Sequence, residues 1–328
     1  MAALVEVRGV RKDFPLSRSL ADLVRGRRPL VRAVDQLDLT IEQGAAVGLL
    51  GESGCGKTTT GRLLLKLIPP SSGTIRVAGH DLTHLEGANL RRFRRDAQLV
   101  FQNPFDAFNP RFTVERALRE PLINAGIPRA EHAERMALAM RRVHLPDVAA
   151  YYDRYAHQLS GGQLQRAVLA RALVLEPRFV VADEPVSMLD VSVRAGILSV
   201  MREVQEALDL TALYISHDFA LVRYVCARTV VMYLGRIVED GPSEDVVRRP
   251  QHPYTQALVK AVPVPRVEQS HDPIPIRGTL TDSQAPPGGC WFRNRCPHAF
   301  ARCVEEEPTL REIAPGHRAA CHLLDRQA

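Results

Sequence analysis

A glycine-rich segment carries the residues of this sequence that are best suited to chemistry on a nucleotide. Residues 51–58 read GESGCGKT and fit the pattern G-x-x-x-x-G-K-[ST]. In that pattern backbone N–H groups surround phosphate oxygens, the lysine contacts the β- and γ-phosphates and the hydroxyl binds Mg²⁺, which assigns these roles to Lys57 and Thr58. Because an isolated match can be a chance glycine-rich turn, its surroundings decide the interpretation. The candidate nucleotide-binding residues are Gly51, Glu52, Ser53, Gly54, Cys55, Gly56, Lys57, Thr58 and Thr59.

The segment FVVADEP, residues 179–185, supplies the acidic half of such a site. It is an apolar strand that ends in two carboxylates. Asp183 is placed to hold Mg²⁺ through water, and Glu184 to polarise the water that attacks the γ-phosphate. An acidic pair at a strand end is more often a solvated edge when it stands alone. Together with the phosphate loop, it predicts ATP hydrolysis with Lys57 and Glu184 as catalytic residues.

A second glycine-containing segment, LSGGQLQR, lies between these halves at residues 159–166. Its serine can cap the helix that follows, and its glycines leave backbone N–H groups uncovered at the positive end of that helix. Read alone, the segment is a well-capped helix start that is suited to meet an anion. The candidate anion-binding residues are Ser160, Gly161, Gly162 and Gln163.

The elements around these motifs alternate between strand and helix. Apolar strands are predicted at residues 45–50, 179–183, 211–216 and 229–234, and a phosphate loop followed by a helix comes directly after the first of them. This order predicts an α/β fold with a parallel sheet of the P-loop NTPase kind. Two N-terminal strands are expected at residues 4–10 and 34–41, with an arginine-rich surface loop between them. A helical insert is expected at about residues 105–174.

Length and composition indicate an ordinary globular protein with one main domain and a tail. The chain has 328 residues, 45% hydrophobic and 24% charged, and a dense run of prolines begins at Pro263. We therefore predict an ATPase domain at residues 1–262, with a proline-rich linker and a C-terminal extension at residues 263–328. The sequence has neither a signal peptide nor an apolar run of about 18 residues, so a cytosolic chain is expected. The net charge of +6 is spread along the chain and does not indicate a nucleic acid partner.

Four of the six cysteines lie in the C-terminal extension, with 5, 6 and 17 residues between neighbours. In a reducing cytosol such a group indicates a metal site before it indicates disulfides. No pair has the tight C-x2-4-C spacing of structural Zn²⁺ sites, and the spacing favours a [4Fe–4S] cluster that holds the tail together. Zn²⁺ and four reduced thiols in a packed subdomain remain the alternatives. The candidate ligands are Cys290, Cys296, Cys303 and Cys321, and the arginines that could offset the cluster charge are Arg293, Arg295 and Arg302.

Six motifs in a fixed order resemble the ATPases of ABC transporters. Besides the two nucleotide-binding halves and LSGGQLQR, the chain has LVFQNP around Gln102, SMLD ending at Asp190 and YISHD around His217. The resemblance implies a RecA-like core, an antiparallel β subdomain and a helical insert. It also implies a head-to-tail dimer, in which Ser160–Gln163 of one subunit cover the γ-phosphate of the ATP that the other subunit binds.

The same resemblance assigns roles to single residues. Gln102 would reach Mg²⁺ and the attacking water, and would report the nucleotide state to the membrane subunits. Asp190 would lie in the loop that crosses the dimer interface, although Met188 departs from the alanine that is commoner in that motif. His217 would contact the γ-phosphate. Phe14 matches the position of an aromatic ring that stacks on adenine, but a ring at a strand end also packs for structural reasons.

The tail resembles the extension of the ATPases that drive bacterial import of di- and oligopeptides, a group that includes nickel importers. The matching segments are HPYTQALVKAVP at 252–263, CWFRNRCPHAFARC at 290–303 and ACHL at 320–323; FQNPFDAFNPR at 101–111 also fits. Members with this cysteine pattern can bind a [4Fe–4S] cluster. The implied partners are two transmembrane permeases, a second ATPase that is a paralogue or an identical chain, and an extracytoplasmic solute-binding protein. The implied place is the cytoplasmic face of the bacterial inner membrane.

Other function classes fit the sequence less well. An importer for nickel or another small solute is the alternative within the same group. A DNA-repair or chromosome-organising ATPase would need a long coiled coil or a zinc-bearing DNA module between the two nucleotide halves, and a translation factor would need two ATPase units. A non-enzymatic nucleotide-binding module is disfavoured because Glu184 and His217 are both in place.

Overall fold

The computed structural model describes residues 2–16, 30–261 and 288–325. Most of the arginine-rich stretch and the proline-rich linker lie outside these ranges. Residues 30–32, which the sequence placed in a surface loop, instead begin a strand, because this strand pairs with the first one as far as Leu30. The strands are β1 (Ala3–Pro15), β2 (Leu30–Glu42), β3 (Ala46–Leu50), β4 (Ser72–Val77), β5 (His80–Asp81), β6 (Ala97–Val100), β7 (Phe179–Asp183), β8 (Thr211–Ser216), β9 (Arg228–Tyr233), β10 (Arg236–Pro242), β11 (Arg311–Ala314) and β12 (His317–Ala319).

The helices lie mainly between β6 and β7 and after β7. Among the described residues, every helix falls short of the length and apolar character that a bilayer crossing requires. The α-helices are α1 (Lys57–Leu64), α2 (Gly87–Asp96), α3 (Pro104–Ala107), α4 (Val114–Asn124), α5 (Arg129–Arg142), α6 (Ala149–Tyr152), α7 (Gly161–Leu173), α8 (Val191–Ala207), α9 (Phe219–Val225), α10 (Ser243–Arg248), α11 (Pro253–Lys260) and α12 (Ala301–Glu305).

A mixed sheet of eight strands forms the centre of the molecule, in the order β11-β12-β10-β9-β3-β8-β7-β6. The five strands from β9 to β6 are parallel, and β10, β12 and β11 continue the sheet in antiparallel fashion. Ligands of such sheets bind beyond the carboxyl ends of the parallel strands. The phosphate loop, Gln102, Glu184 and His217 follow β3, β6, β7 and β8, so all four lie at this edge.

The alternating side chains of the parallel strands build two cores, one on each face of the sheet. In β7, Val180 and Ala182 belong to one buried cluster, and Phe179 and Val181 belong to the other. The first cluster contains apolar residues of the helices between β6 and β7. The second contains α1 and the separate antiparallel sheet β2-β1-β4-β5. Strands buried on both faces are expected to be continuously apolar, as AVGLL in β3 is.

The C-terminal extension is built into the central sheet through β12, which pairs with the edge strand β10. Two buried carboxylates of β10 hold it there. Glu239 accepts hydrogen bonds from the N–H groups of Gln251 and His252 and from His317 of β12, at 2.8, 2.9 and 2.9 Å. Asp240 pairs with Arg318 of β12. The ATPase fold and the described part of the extension therefore share one sheet.

Candidate functional site

Two glycines of the phosphate loop lie where no side chain fits. Gly51 and Gly56 have φ values of 154° and 107°, and a Cβ atom would lie 2.3 Å from the Met232 carbonyl oxygen or 2.2 Å from the Ala33 carbonyl oxygen. This close approach lets the chain turn sharply between β3 and α1. The N–H groups of the turn then lie at the positive end of α1, which is the arrangement that binds phosphate.

The side chain of Lys57 lies inside the phosphate loop and is hydrogen-bonded to its backbone. Its ammonium donates hydrogen bonds to the carbonyl oxygens of Gly51 and Glu52, at 2.7 and 2.9 Å, and the residue is only 6% exposed. Cys55 is fully buried beside it, and burial raises the pKa of its thiol. The predicted phosphate-binding lysine therefore lies at the centre of the loop.

Thr58 and Asp183 come together as a pair of oxygen donors. The Thr58 hydroxyl donates to a carboxylate oxygen of Asp183 at 3.3 Å. Burial raises the pKa of Asp183; the bond from Thr58 acts in the opposite direction and the charge of Glu184 adds to the rise. A hydroxyl and a carboxylate suit Mg²⁺, which prefers oxygen ligands and keeps several waters. The donor set therefore fits the ion that the sequence predicts here.

Glu184 is held by both side chains that were expected near the attacking water. Gln102 donates from Nε2 to one carboxylate oxygen at 3.1 Å, and Nδ1 of His217 is 3.0 Å from the other. The backbone of Glu184 has φ 46°, and its N–H donates to the Ile215 carbonyl of β8 at 2.9 Å. Such a left-handed conformation in a residue with a side chain is a strained backbone, and this strain is held here by contacts with the neighbouring strand. Gln102 thus contacts the carboxylate of Glu184, whereas Thr58 and Asp183 pair with each other.

The structure does not bring the LSGGQLQR segment to the phosphate loop of the same chain. Ser160 and Gln163 form a reciprocal capping box at the start of α7: Ser160 Oγ accepts from the Gln163 N–H at 3.3 Å, and Gln163 Oε1 accepts from the Ser160 N–H at 3.1 Å. Within the described ranges no hydrogen bond or ion pair joins residues 160–163 to residues 51–59. Asp190 precedes α8 without a side-chain capping bond, between the exposed Met188 and Val191.

Phe14 lies at the end of β1, opposite Val31 of β2, and is 38% exposed. The ammonium of Lys12 lies 5.1 Å from the centre of its ring. A partly exposed ring on the antiparallel sheet can stack on a base, so its role as adenine contact stays a prediction.

Two residues of the site were missed by the sequence analysis, and both contact Glu52. The carboxylate of Glu52 pairs with both terminal nitrogens of Arg295, at 2.8 and 3.0 Å. The N–H of Glu52 donates to the Tyr254 hydroxyl at 2.8 Å. Arg295 was expected to offset the charge of a cysteine-bound cluster, but its guanidinium faces the phosphate loop. The sequence signal was present only as the segments HPYTQAL and FRNRCPHA, whose spatial neighbours local patterns do not reveal.

The four cysteines of the extension are free thiols that interact with one another. Burial raises the pKa of Cys290 to about 11 and of Cys321 to about 12, and neighbouring thiols of the group add to both shifts. The residues that the structure describes include no group of three or more Cys, His, Asp or Glu side chains placed to hold a metal ion. The predicted [4Fe–4S] cluster is therefore not supported by this arrangement, and neither is its Zn²⁺ alternative.

Comparison with known proteins matches each of the two parts of the chain to a protein family. The family described as "ABC transporter" matches residues 34–187, and "Oligopeptide/dipeptide transporter, C-terminal region" matches residues 238–303. A Brucella ovis protein that carries the name peptide import ATP-binding protein is 47% identical over 305 residues, which cover 93% of this chain and 96% of the relative. The oligopeptide transport ATP-binding protein AppF of Bacillus subtilis is 41% identical over 324 residues, with 98% and 97% covered.

Solved structures agree on the fold. The ATP-binding cassette MJ0796, solved as a dimer with ADP and Pi, has a TM-score of 0.63 at 24% identity and covers 73% of this chain and 98% of its own. CbiO1 of Clostridium perfringens has a TM-score of 0.64 at 24% identity and covers 75% and 91%. The α/β P-loop fold of the ABC type is thereby confirmed. The chain belongs to the ABC transporter family, as an ATP-hydrolysing subunit with the C-terminal region of the oligopeptide/dipeptide transporters.

Proposed function

We propose that this chain binds and hydrolyses ATP to drive import of di- and oligopeptides. The observation that carries the ATPase part is the geometry of Glu184, which Gln102 and His217 hold beside the Thr58–Asp183 pair. The peptide part is supported by relatives named for peptide import that align with nearly the whole chain, extension included. No observation favours nickel over peptide.

The proposed mechanism gives each of these side chains one step. The loop N–H groups and the ammonium of Lys57 bind the β- and γ-phosphates and offset their charge. Thr58 and Asp183 would hold Mg²⁺, which would offset the negative charge of the phosphates. Glu184 accepts a hydrogen bond from the attacking water and orients it toward the γ-phosphate. Gln102 and His217 fix the Glu184 carboxylate, and His217, with its side chain 63% exposed, can also reach the γ-phosphate.

A second ATPase subunit completes the site in this proposal. The capped start of α7 presents uncovered N–H groups, yet it makes no polar contact with the phosphate loop of its own chain within the described residues. In a head-to-tail dimer, Ser160–Gln163 of the partner would close over the γ-phosphate, and Asp190 would lie at the interface. The exposed Met188 and Val191 beside Asp190 provide apolar surface for that contact.

The remaining partners follow from the importer assignment. Two transmembrane permeases would contact the region around Gln102, where Phe105 is 57% exposed, and would respond to its movement. An extracytoplasmic binding protein would deliver the peptide. The chain would act at the cytoplasmic face of the bacterial inner membrane, where ATP is available. Nucleic acid has no part in this proposal.

We expect the isolated chain to hydrolyse ATP slowly, because each site lacks the partner's Ser160–Gln163. Assembly with the permeases, the second ATPase subunit and a peptide-loaded binding protein should raise the rate by about tenfold or more, because donors aimed at developing charge lower the barrier to reaction. Steady-state phosphate release in proteoliposomes measures this, with peptide-free binding protein as control. Full activity in dilute monomer would contradict a composite site, and stimulation by nickel in place of peptide would redirect the substrate.

A [4Fe–4S] cluster at the four cysteines is a separate part of the proposal. The spacing of the four cysteines in the sequence supports a [4Fe–4S] cluster, although their described arrangement does not. If it binds, anaerobically purified protein is brown and contains iron and acid-labile sulfide, and a Cys296→Ser/Cys303→Ser variant loses both. Colourless protein with stoichiometric zinc, or without metal, would end this part and leave the ATPase assignment intact.

A further inference from the structure

The C-terminal extension reaches the phosphate loop through one side chain. Arg295 forms two parallel hydrogen bonds with the carboxylate of Glu52, the second residue of the loop, across a sequence separation of 243 residues. The Arg295 side chain is 11% exposed and that of Glu52 is 26% exposed. A bidentate pair that is shielded from water is stronger and more directional than a surface ion pair.

Aromatic rings hold Arg295 in this position. Its guanidinium lies 5.8 Å from the centre of the Tyr233 ring at the end of β9. Tyr233 in turn packs edge-on against Tyr254 and Phe292, at centroid distances of 4.7 and 5.3 Å. Phe292 belongs to the same extension segment as Arg295, and both Phe292 and Tyr254 are almost wholly buried. The arginine therefore projects from a packed cluster and is not a mobile surface group.

Three contacts converge on Glu52. Its carboxylate accepts from Arg295, its N–H donates to the Tyr254 hydroxyl, and its carbonyl oxygen accepts from Lys57 at 2.9 Å. The peptide groups on both sides of Glu52 are thus fixed. The orientation of the N–H groups that follow depends on these peptide groups, so the shape of the loop depends on residues of the extension.

The pair also sets the local charge. Glu52 places a carboxylate at the start of a loop that must bind the negative phosphates of ATP. Paired with Arg295, this charge is offset; unpaired, it would repel the phosphates. Removal of Arg295 would therefore harm ATP binding twice, through a looser loop and through an unpaired carboxylate.

We propose that Arg295 and Tyr254 are positioning residues for ATP binding, which act through Glu52 and make the C-terminal extension part of the nucleotide site. The inference rests on the phosphate-loop site of the proposed function. It concerns the affinity for ATP and does not depend on the transported solute or on a metal at the cysteines.

The test measures the dissociation constant of Mg²⁺–ATPγS for the full-length chain, together with the thermal midpoint without nucleotide. For Arg295→Ala we expect affinity to fall about tenfold, equivalent to about 1.4 kcal/mol. Adding Glu52→Gln should restore affinity to within about threefold of wild type, because no carboxylate is then left unpaired. A purely structural role of Arg295 would not give this rescue. Tyr254→Phe, which keeps the ring, should weaken binding by about threefold through the lost hydroxyl.

Arg302→Ala is the matched control, because Arg302 lies in the same segment and, among the described residues, pairs with two carboxylates of the extension, Glu306 and Asp325. It should leave affinity unchanged. If Arg295→Ala does not fold, Arg295→Lys replaces it, and we expect a smaller loss that Glu52→Gln again relieves. Affinity within twofold of wild type in the Arg295 variant, or a loss that Glu52→Gln does not relieve, overturns the inference. Lys57→Ala distinguishes a failure of this inference from a failure of the proposed function. If the Lys57→Ala variant still binds nucleotide normally, the proposed nucleotide site itself is wrong.

Discussion

The variant Glu184→Gln should bind ATP normally and almost cease to hydrolyse it. The carboxylate of Glu184 is the group placed to accept a hydrogen bond from the attacking water, and a neutral amide accepts far more weakly. Loss of a positioned general base typically lowers the rate constant kcat by about 10²–10⁴-fold. Lys57, Thr58 and the loop are unchanged, so the dissociation constant for ATP should stay within about threefold of wild type.

The geometry supports so selective an effect. Glutamine has the same shape as glutamate, and its amide oxygen can still accept a bond from Gln102 or His217, which now contact the carboxylate at 3.1 and 3.0 Å. The ATP-bound state should then accumulate as a dimer, visible by size-exclusion chromatography with ATP. Normal steady-state turnover in this variant would show that Glu184 has another role.

Glu176→Gln provides the control for this substitution. Glu176 also has a left-handed backbone, with φ 52°, and its carboxylate pairs with Arg142 at 2.9 Å away from the nucleotide site. Glu176→Gln therefore makes the same change of charge as Glu184→Gln, at a residue with a similar backbone conformation. Its kcat and ATP affinity should match those of the wild type.

Part of the arrangement around Glu184 was predictable because Asp183 lies at the end of one predicted strand and His217 just after another. Parallel strands end at one edge of the sheet, so these two residues were expected to lie close together, whereas Gln102 was assigned only by resemblance to the ATPases of ABC transporters. The strands expected at residues 179–183 and 211–216 have those same bounds in the structure. A motif at a strand end thus carries three-dimensional information, since the fold class fixes where that end lies.

The place of the extension was not predictable in this way. Periodicity showed neither that β12 pairs with β10 nor that Arg295 reaches Glu52, because these contacts join segments 78 and 243 residues apart. No pattern in the sequence distinguished Glu239 and Asp240 from ordinary charged residues. In the structure they are buried, and Glu239 accepts bonds from three donors on two segments. A buried carboxylate needs such partners, but the sequence does not say which residues supply them.

For the four cysteines of the extension, the sequence led to a prediction that the surrounding residues do not support. Residue spacing and the family resemblance favoured a [4Fe–4S] cluster, and three arginines were expected to balance its charge. The structure gives two of those arginines carboxylate partners instead: Arg295 pairs with Glu52, and Arg302 with Glu306 and Asp325. Residue spacing therefore indicated which cysteines lie close together, but not what surrounds them.

Lys57→Ala should give the opposite signature from Glu184→Gln, with both binding and hydrolysis lost. The ammonium of Lys57 is almost buried and lies within the loop, where it now bonds to the carbonyl oxygens of Gly51 and Glu52. Removing it leaves the phosphates without their point charge and the two carbonyls without a donor. Loss of one partner of a shielded charge pair costs about 2–5 kcal/mol, so ATP affinity should fall by about 30-fold or more.

Lys66→Ala is the matched control for this prediction, because the ammonium of Lys66 also donates to a main-chain carbonyl, that of Thr83 at 3.1 Å, outside the phosphate loop. Equilibrium binding of Mg²⁺–ATPγS to the three proteins separates the cases. A Lys57→Ala chain that binds as tightly as Lys66→Ala would refute the phosphate-loop assignment. If binding is lost in Lys57→Ala but kept in Glu184→Gln, the two residues act at successive steps: Lys57 holds the phosphates in place, and Glu184 then directs water at the last of them.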